Sequence, residues 1–212
     1  MLNASDATPP GPIARGLAIA SALAALGDEA RLAAVCDAWL AGKLPPAVLC
    51  EGMFQLYLFC GYPRALNALR VYREREVAAG FAPAPDVGDD PPRDAARARG
   101  EEVCRRVYGA RYAALLQRVD ALHPALGRLM VEEGYGRVLG RPGLEPVWRE
   151  IATVGALVPL GVPRQVRAHL RGALNLGATV AELRVVLQDI EPLVAPERAT
   201  EAWALFREFE GR

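Results

Sequence analysis

The chain has 212 residues, 52% of them hydrophobic, with 25 basic side chains balanced by 25 acidic ones. No apolar run is long enough to cross a bilayer and no basic surplus is available to neutralise phosphates, so neither an integral membrane protein nor a dedicated nucleic-acid binder is expected. Cys36, Cys50, Cys60 and Cys104 lack CxxC spacing and only two histidines accompany them; this leaves little material for a zinc site and reads as free thiols in a reducing cytoplasm.

Residues 1–12 read as a flexible tail. Gly16 to Gly27 is apolar and rich in small residues, like the core of a secretory signal, but Asp6 upstream and the lack of a base besides Arg15 argue for a helix instead. Gly27-Asp28, Pro45-Pro46 and Gly61 with Pro63 punctuate apolar-periodic runs, which predicts four helices over 13–79. Residues 80–100 are dense in Pro, Gly and Asp and read as a linker, with no packed element before about Arg93. Helical periodicity resumes from Glu101 through Tyr112, Leu115, Leu116 and Val119, and a second short helix is predicted from His123-Pro124 to Glu133. Gly161 with Pro163, Gly177 and Pro196 then divide four further helices. Thr179 and Glu182 have the T-x-x-E form of a capping box, which places a helix start at about Val180. Strand signals are nearly absent, so the fold class is all-α.

The sequence also resembles itself. Arg15 to Val35 aligned with Arg149 to His169 superposes Arg15 on Arg149, Ala18 on Ala152, Leu23 on Leu157 and Gly27 on Gly161, an offset of 149 − 15 = 134 residues. Arg73-Glu74 and Arg207-Glu208 share that offset. Two copies at so long a period suggest two related helical repeats sharing one core, 13–79 and 101–212, and not a solenoid.

Gly140-Arg141-Pro142-Gly143-Leu144, Arg149-Glu150, His169 within RAHLRGALNLGAT, and Glu182 resemble the first part of a carboxymuconolactone decarboxylase domain. Glu51 and the segment Phe59 to Ala68, with its Cys60-Gly61-Tyr62-Pro63 motif, resemble the closing part of the same domain. The resemblance implies an alkylhydroperoxidase D-like helical fold that assembles into oligomers and acts on a small molecule; no glycine-rich phosphate loop, G-x-S-x-G or H-E-x-x-H motif occurs, so no cofactor or metal is expected. In the peroxidase branch of that superfamily a Glu is followed at +12 and +15 by two cysteines and at +19 by a His. Glu150 and His169 keep that frame, 169 − 150 = 19, but Val162 and Gln165 stand where the cysteines would be, so the thiol cycle is not expected there. In the first repeat the corresponding positions are Gly16, Asp28, Arg31 and Val35. Each repeat thus retains the end of the motif that the other has lost, and one composite site would combine Glu150 and His169 with Cys60 and Tyr62.

The family's name reaction moves electrons from a departing carboxylate onto a lactone carbonyl and then reprotonates carbon, which calls for an acid and an anion clamp. By resemblance His169 is the acid, Glu150 its partner, and Arg141 and Arg149 the clamp. Each has a plainer alternative: a solvated or carbonyl-capping helix-face histidine, a carboxylate pairing with Arg149's helix face or favouring a helix N-terminus for Glu150, a loop pin for Arg141, a buried small hydrophobe for Cys60. Tyr62 and Tyr135 flank glycines and could line a pocket or simply pack. Trp39, Trp148 and Trp203 fit the core or an oligomer contact. The function expected is a decarboxylase-like enzyme on a small carboxylated lactone. The alternatives are a non-catalytic ligand-binding or assembly protein and, third, a thiol peroxidase. A trimer of two-repeat chains would reproduce a six-unit ring.

Overall fold

The computed structural model describes residues 11–83, 86 and 88–210. Most of the expected tail lies outside the described residues, but its last two do not: Gly11 caps and Pro12 begins the first helix, α1 (Pro12–Leu26). α2 (Glu29–Ala41), α3 (Pro46–Phe54) and α4 (Tyr57–Ala78) follow. Their starts are written locally. The Asp28 carboxylate accepts from the Arg31 amide, and Pro12 and Pro46 occupy first turns, where a missing N–H leaves no bond unmade. Gly61, at φ 78° and ψ 165°, kinks α4, so Tyr57 to Cys60 run in a different direction from the helix that Pro63 helps restart.

α5 (Arg93–Tyr108) begins where the Pro-rich stretch ends. The linker expected over 80–100 is therefore shorter: from Arg93 onward its residues are helical, and Ala96 and Gly100 are buried. α6 (Tyr112–Leu122) and α7 (Pro124–Leu129) follow, and α7 runs on into a π-helix over Met130–Leu139. The short helix expected to stop at Glu133 thus continues to Leu139 in a wider winding. Backbone contact accounts for its location. A Cβ on Gly136 would lie 2.1 Å from the Ala96 carbonyl oxygen, and one on Gly100 would lie 1.9 Å from that of Val131, so only glycines let α5 and the π-helix approach this closely.

α8 (Pro146–Leu160), α9 (Pro163–Asn175), α10 (Val180–Ile190) and α11 (Pro196–Phe206) complete the fold. The capping box at Thr179 is formed in both directions, with the Glu182 amide donating to Thr179 Oγ1 at 3.1 Å and the Thr179 amide to Glu182 Oε2 at 2.7 Å. The bounds of α8 and α9 lie 134 residues beyond those of α1 and α2 at both ends (146 − 12, 160 − 26, 163 − 29, 175 − 41).

α1 and α8 pack along their lengths at the centre, close enough that a Cβ on Gly155 would sit 2.4 Å from the Ala18 carbonyl oxygen. One side of the pair joins Ala18 and Ala22 to Ile151, Val154, Leu170 and Phe206; the other joins Leu17 and Leu23 to Ala152, Ala156, Trp39 and Tyr72. Each fully buried Leu, Ile or Phe there contributes about 1.5–3 kcal/mol against its exposed state. Among the described residues every regular element is helical, and no helix is long and apolar enough to cross a membrane.

Candidate active site

Val166, His169, Leu170 and Ala173 recur at helical spacing on the buried stripe of α9, which turns the imidazole inward. Glu150 lies on the buried stretch of α8, the antiparallel neighbour of α9 across the Gly161 turn. His169 Nδ1 and Glu150 Oε2 are 2.8 Å apart, with the two residues only 4% and 2% exposed. A solvated helix-face histidine does not describe this pair. With Nδ1 committed to the carboxylate, Nε2 makes no hydrogen bond to the protein among the described residues.

Three other elements close around the dyad. Phe59, just before the Gly61 kink, meets the imidazole edge-to-face at a centroid distance of 5.6 Å and also packs against the apolar cluster that includes Tyr135. The end of α5 is held on α9 by Asn175, whose side-chain amide donates to the Val107 carbonyl at 2.7 Å. Gly172 makes room: a Cβ there would stand 2.4 Å from Glu150 Oε2 and 2.8 Å from Val107 Cγ1. Beside Val107, the Tyr108 hydroxyl bonds that of Tyr135 on the π-helix at 2.5 Å. Burial, and then the nearby Glu150 carboxylate, hold Tyr108 well above the ordinary phenol range; Tyr135 is raised by burial, by Tyr108 and by Glu150. Burial with the same carboxylate pushes the Cys104 thiol up to about 12.

The two arginines expected to clamp substrate are engaged elsewhere. Glu51, buried on α3, receives Arg141 in bidentate fashion (Nε to Oε2 2.9 Å, Nη2 to Oε1 3.0 Å) and Arg149 Nη2 at 2.9 Å. Arg149, 1% exposed, also donates to Gln55 Oε1 at 3.2 Å and to the carbonyls of Arg141 and Pro142. Gln55 returns its amide to the Arg149 carbonyl at 2.9 Å and to Thr153 at 3.3 Å. Burial lowers the pKa of Arg149 despite Glu51. Arg141 also pairs with Asp86 and covers the Phe54 ring at 4.6 Å. Burial opposes its charge, and the bonds to Glu51 and Asp86 nevertheless raise its pKa. No local spacing rule would have joined Glu51 and Gln55 to these arginines, which lie 90 and more residues away in sequence.

Tyr62 does not join the dyad: it is 64% exposed and stacks on Tyr57 at 4.9 Å. Cys60 is half-buried, its thiol directed at the Leu56 carbonyl at 3.2 Å. All four cysteines are free, and burial raises each thiol above its ordinary value, the reverse of what a peroxide-attacking thiolate needs. Among the described residues no group of three or more His, Cys, Asp or Glu is placed to hold a metal. Of the tryptophans, Trp39 is core, while Trp148 and Trp203 are partly buried against it.

Sequence comparison finds likenesses to set beside this all-helical scaffold and its buried Glu–His pair nineteen residues apart. The carboxymuconolactone decarboxylase family model matches residues 124–208. Peroxisomal protein 2 of Schizosaccharomyces pombe is 31% identical over 123 residues, covering 56% of this chain and 55% of that protein. The chain thus spans about half the length of this relative. The 4-carboxymuconolactone decarboxylase of Acinetobacter baylyi is 29% identical over 90 residues, 42% of this chain and 67% of that enzyme.

Proposed function

We propose that the chain is a decarboxylase-like enzyme acting on a small carboxylated lactone by proton transfer at His169. The buried, hydrogen-bonded Glu150–His169 pair carries this reading. Glu150 accepts a hydrogen bond from Nδ1–H and fixes the ring, so that a proton carried at Nε2 is the one offered to a reactant. In the step proposed, the carbon–carboxylate bond breaks and its electrons pass through the adjacent double bond onto the lactone carbonyl. Carbon dioxide leaves, and the Nε2 proton then forms the new carbon–hydrogen bond. Solvent reprotonates the ring.

The chain is further proposed to be two fused family units, each lending the other what it lacks. The matching helix bounds support this, as does a mirrored contact: Arg15 bonds Asp189 on α10 at 2.7 and 2.8 Å, while Arg149, 134 residues on, bonds Gln55, which lies 189 − 55 = 134 residues before Asp189. Such chains would assemble as trimers, with sedimentation as the check.

The direct test follows carbon dioxide release from 4-carboxymuconolactone. Turnover by the natural protein that falls at least a hundredfold in His169→Gln is expected; equal rates, or no release from either, would remove the assignment. A second reading, a ligand-binding or assembly protein without turnover, draws support from the engagement of both Arg141 and Arg149 by Glu51. Thiol peroxidase activity finds no support in the cysteines.

A further inference from the structure

With both arginines engaged around Glu51, the dyad needs another group to hold a substrate oxygen. The residues beside it include one. Tyr108 and Tyr135 come from α5 and the π-helix, the segment inserted between the two sets of four helices. Their rings meet edge-to-face at 5.7 Å and their hydroxyls bond each other, Tyr135 being buried and Tyr108 half-buried. Two hydroxyls carry two protons, and the bond between them uses one. The other proton has no protein acceptor among the described residues. An incoming oxygen would accept it.

The placement is fixed from three sides. Val107, the residue before Tyr108, is anchored by Asn175 and borders Gly172 together with Glu150 Oε2. Phe59 touches both the His169 ring and the apolar cluster that includes Tyr135. Neither tyrosine bonds directly to Glu150 or His169 among the described residues, yet the Glu150 charge acts on both phenols, so donor and dyad are neighbouring but separate groups.

We propose that the Tyr108–Tyr135 hydroxyl pair is the oxygen-recognition element of this site, donating its spare proton to a carboxylate or carbonyl oxygen of the substrate while His169 serves the reacting carbon. This rests on the proposed function above and replaces the arginine clamp in it. Burial keeps both phenols protonated at neutral pH, as a donor must be. The role is that of an oxyanion hole: a fixed donor aimed at charge that grows as carbon dioxide departs.

The test pairs turnover of 4-carboxymuconolactone with calorimetric binding of the same compound, in the natural protein, Tyr135→Phe and Tyr108→Phe. Phenylalanine keeps the ring packing, and thermal melting confirms the fold. To separate binding from reaction, affinity is measured in a His169→Gln background. The expected result is binding about ten- to a hundredfold weaker in Tyr135→Phe, with kcat reduced beyond the change in KM. Unchanged binding and kcat in both variants would overturn the tyrosine assignment and leave the dyad standing. Absence of turnover together with binding that Tyr135→Phe weakens would do the reverse. Neither turnover nor binding would end both proposals.

Discussion

Residues 16 and 150 stand 134 apart on helices with matching bounds, and their surroundings are filled in opposite ways. Glu150 reaches His169, and Gly172 leaves space for its carboxylate. At the earlier position stands Gly16, with the Trp39 ring packed 2.8 Å from where its Cβ would be, and Val35 stands where the later helix has His169. One side of the scaffold has closed with an indole and the other has kept a pair of ionisable groups. Burying an indole is favourable once its N–H has an acceptor, here the Pro45 carbonyl at 3.1 Å, whereas a buried carboxylate is tolerable only with its charged or donating partner in place. The apolar solution serves stability, and the polar one makes sense where proton transfer is needed.

The neighbouring arginines sharpen the contrast. Arg149 is 1% exposed and bonded to Glu51, while Arg15 has a side chain 50% exposed and bonded to Asp189. The two pairs should differ most in stability. Glu51→Ala strands a buried guanidinium and is expected to cost about 3–5 kcal/mol. Asp189→Ala removes a partner that solvent can replace and is expected to cost about 1 kcal/mol or less. Urea unfolding of both variants checks the ratio. Equal losses would show that burial does not distinguish the pairs.

Breaking the dyad should come next in size. His169→Leu leaves the Glu150 carboxylate buried without its partner, at an expected cost of about 3 kcal/mol. Adding Glu150→Leu removes the stranded group as well, so the double variant should be more stable than the two single costs added together predict, by about 1–3 kcal/mol. Strict additivity in denaturant melts would mean the two side chains are not coupled, whatever their separation.

What could be read in advance follows the range of the interactions involved. Helix starts at Pro163 and Val180 are set by a proline and a capping box within a few residues, and local chemistry suffices to place them, whereas the start at Arg93 falls inside the stretch expected as linker. The spacing of Glu150 and His169 was visible because both sit on adjacent helices joined by a short turn. The Glu51 cluster was hidden, since Arg141, Arg149, Gln55 and Thr153 meet only after distant helices pack. The π-helix was hidden for a different reason. Its residues have ordinary helical composition, and the wider winding accompanies the contact of Gly136 with Ala96 on α5, which no local pattern records. Tyr135 could be noticed beside its glycines, and Tyr108 precedes one as well, Gly109, but nothing local joined the two tyrosines.

The finest probe of the comparison is a pair of thiols. Cys36 on α2 and Cys104 on α5 are both fully buried, and burial is the main reason both are pushed up to about 12. The charges that assist differ: Asp37 for Cys36, Glu150 and then Glu101 for Cys104. An unfolded thiol ionises near 8.5, so each contributes stability fully below about pH 8.5 and loses it as pH rises toward 12. Glu150→Gln removes a negative charge next to Cys104 alone, which makes its thiolate easier to form. Cys104 should therefore alkylate at lower pH in that variant, while Cys36 keeps its profile. Mass spectrometry of iodoacetamide-treated native protein across pH 8–10 separates the two. A shift at both cysteines would indicate that Glu150→Gln had loosened the whole core, whereas a shift at Cys104 alone places the carboxylate's charge, and so the proton chemistry, on the side of the scaffold that holds His169.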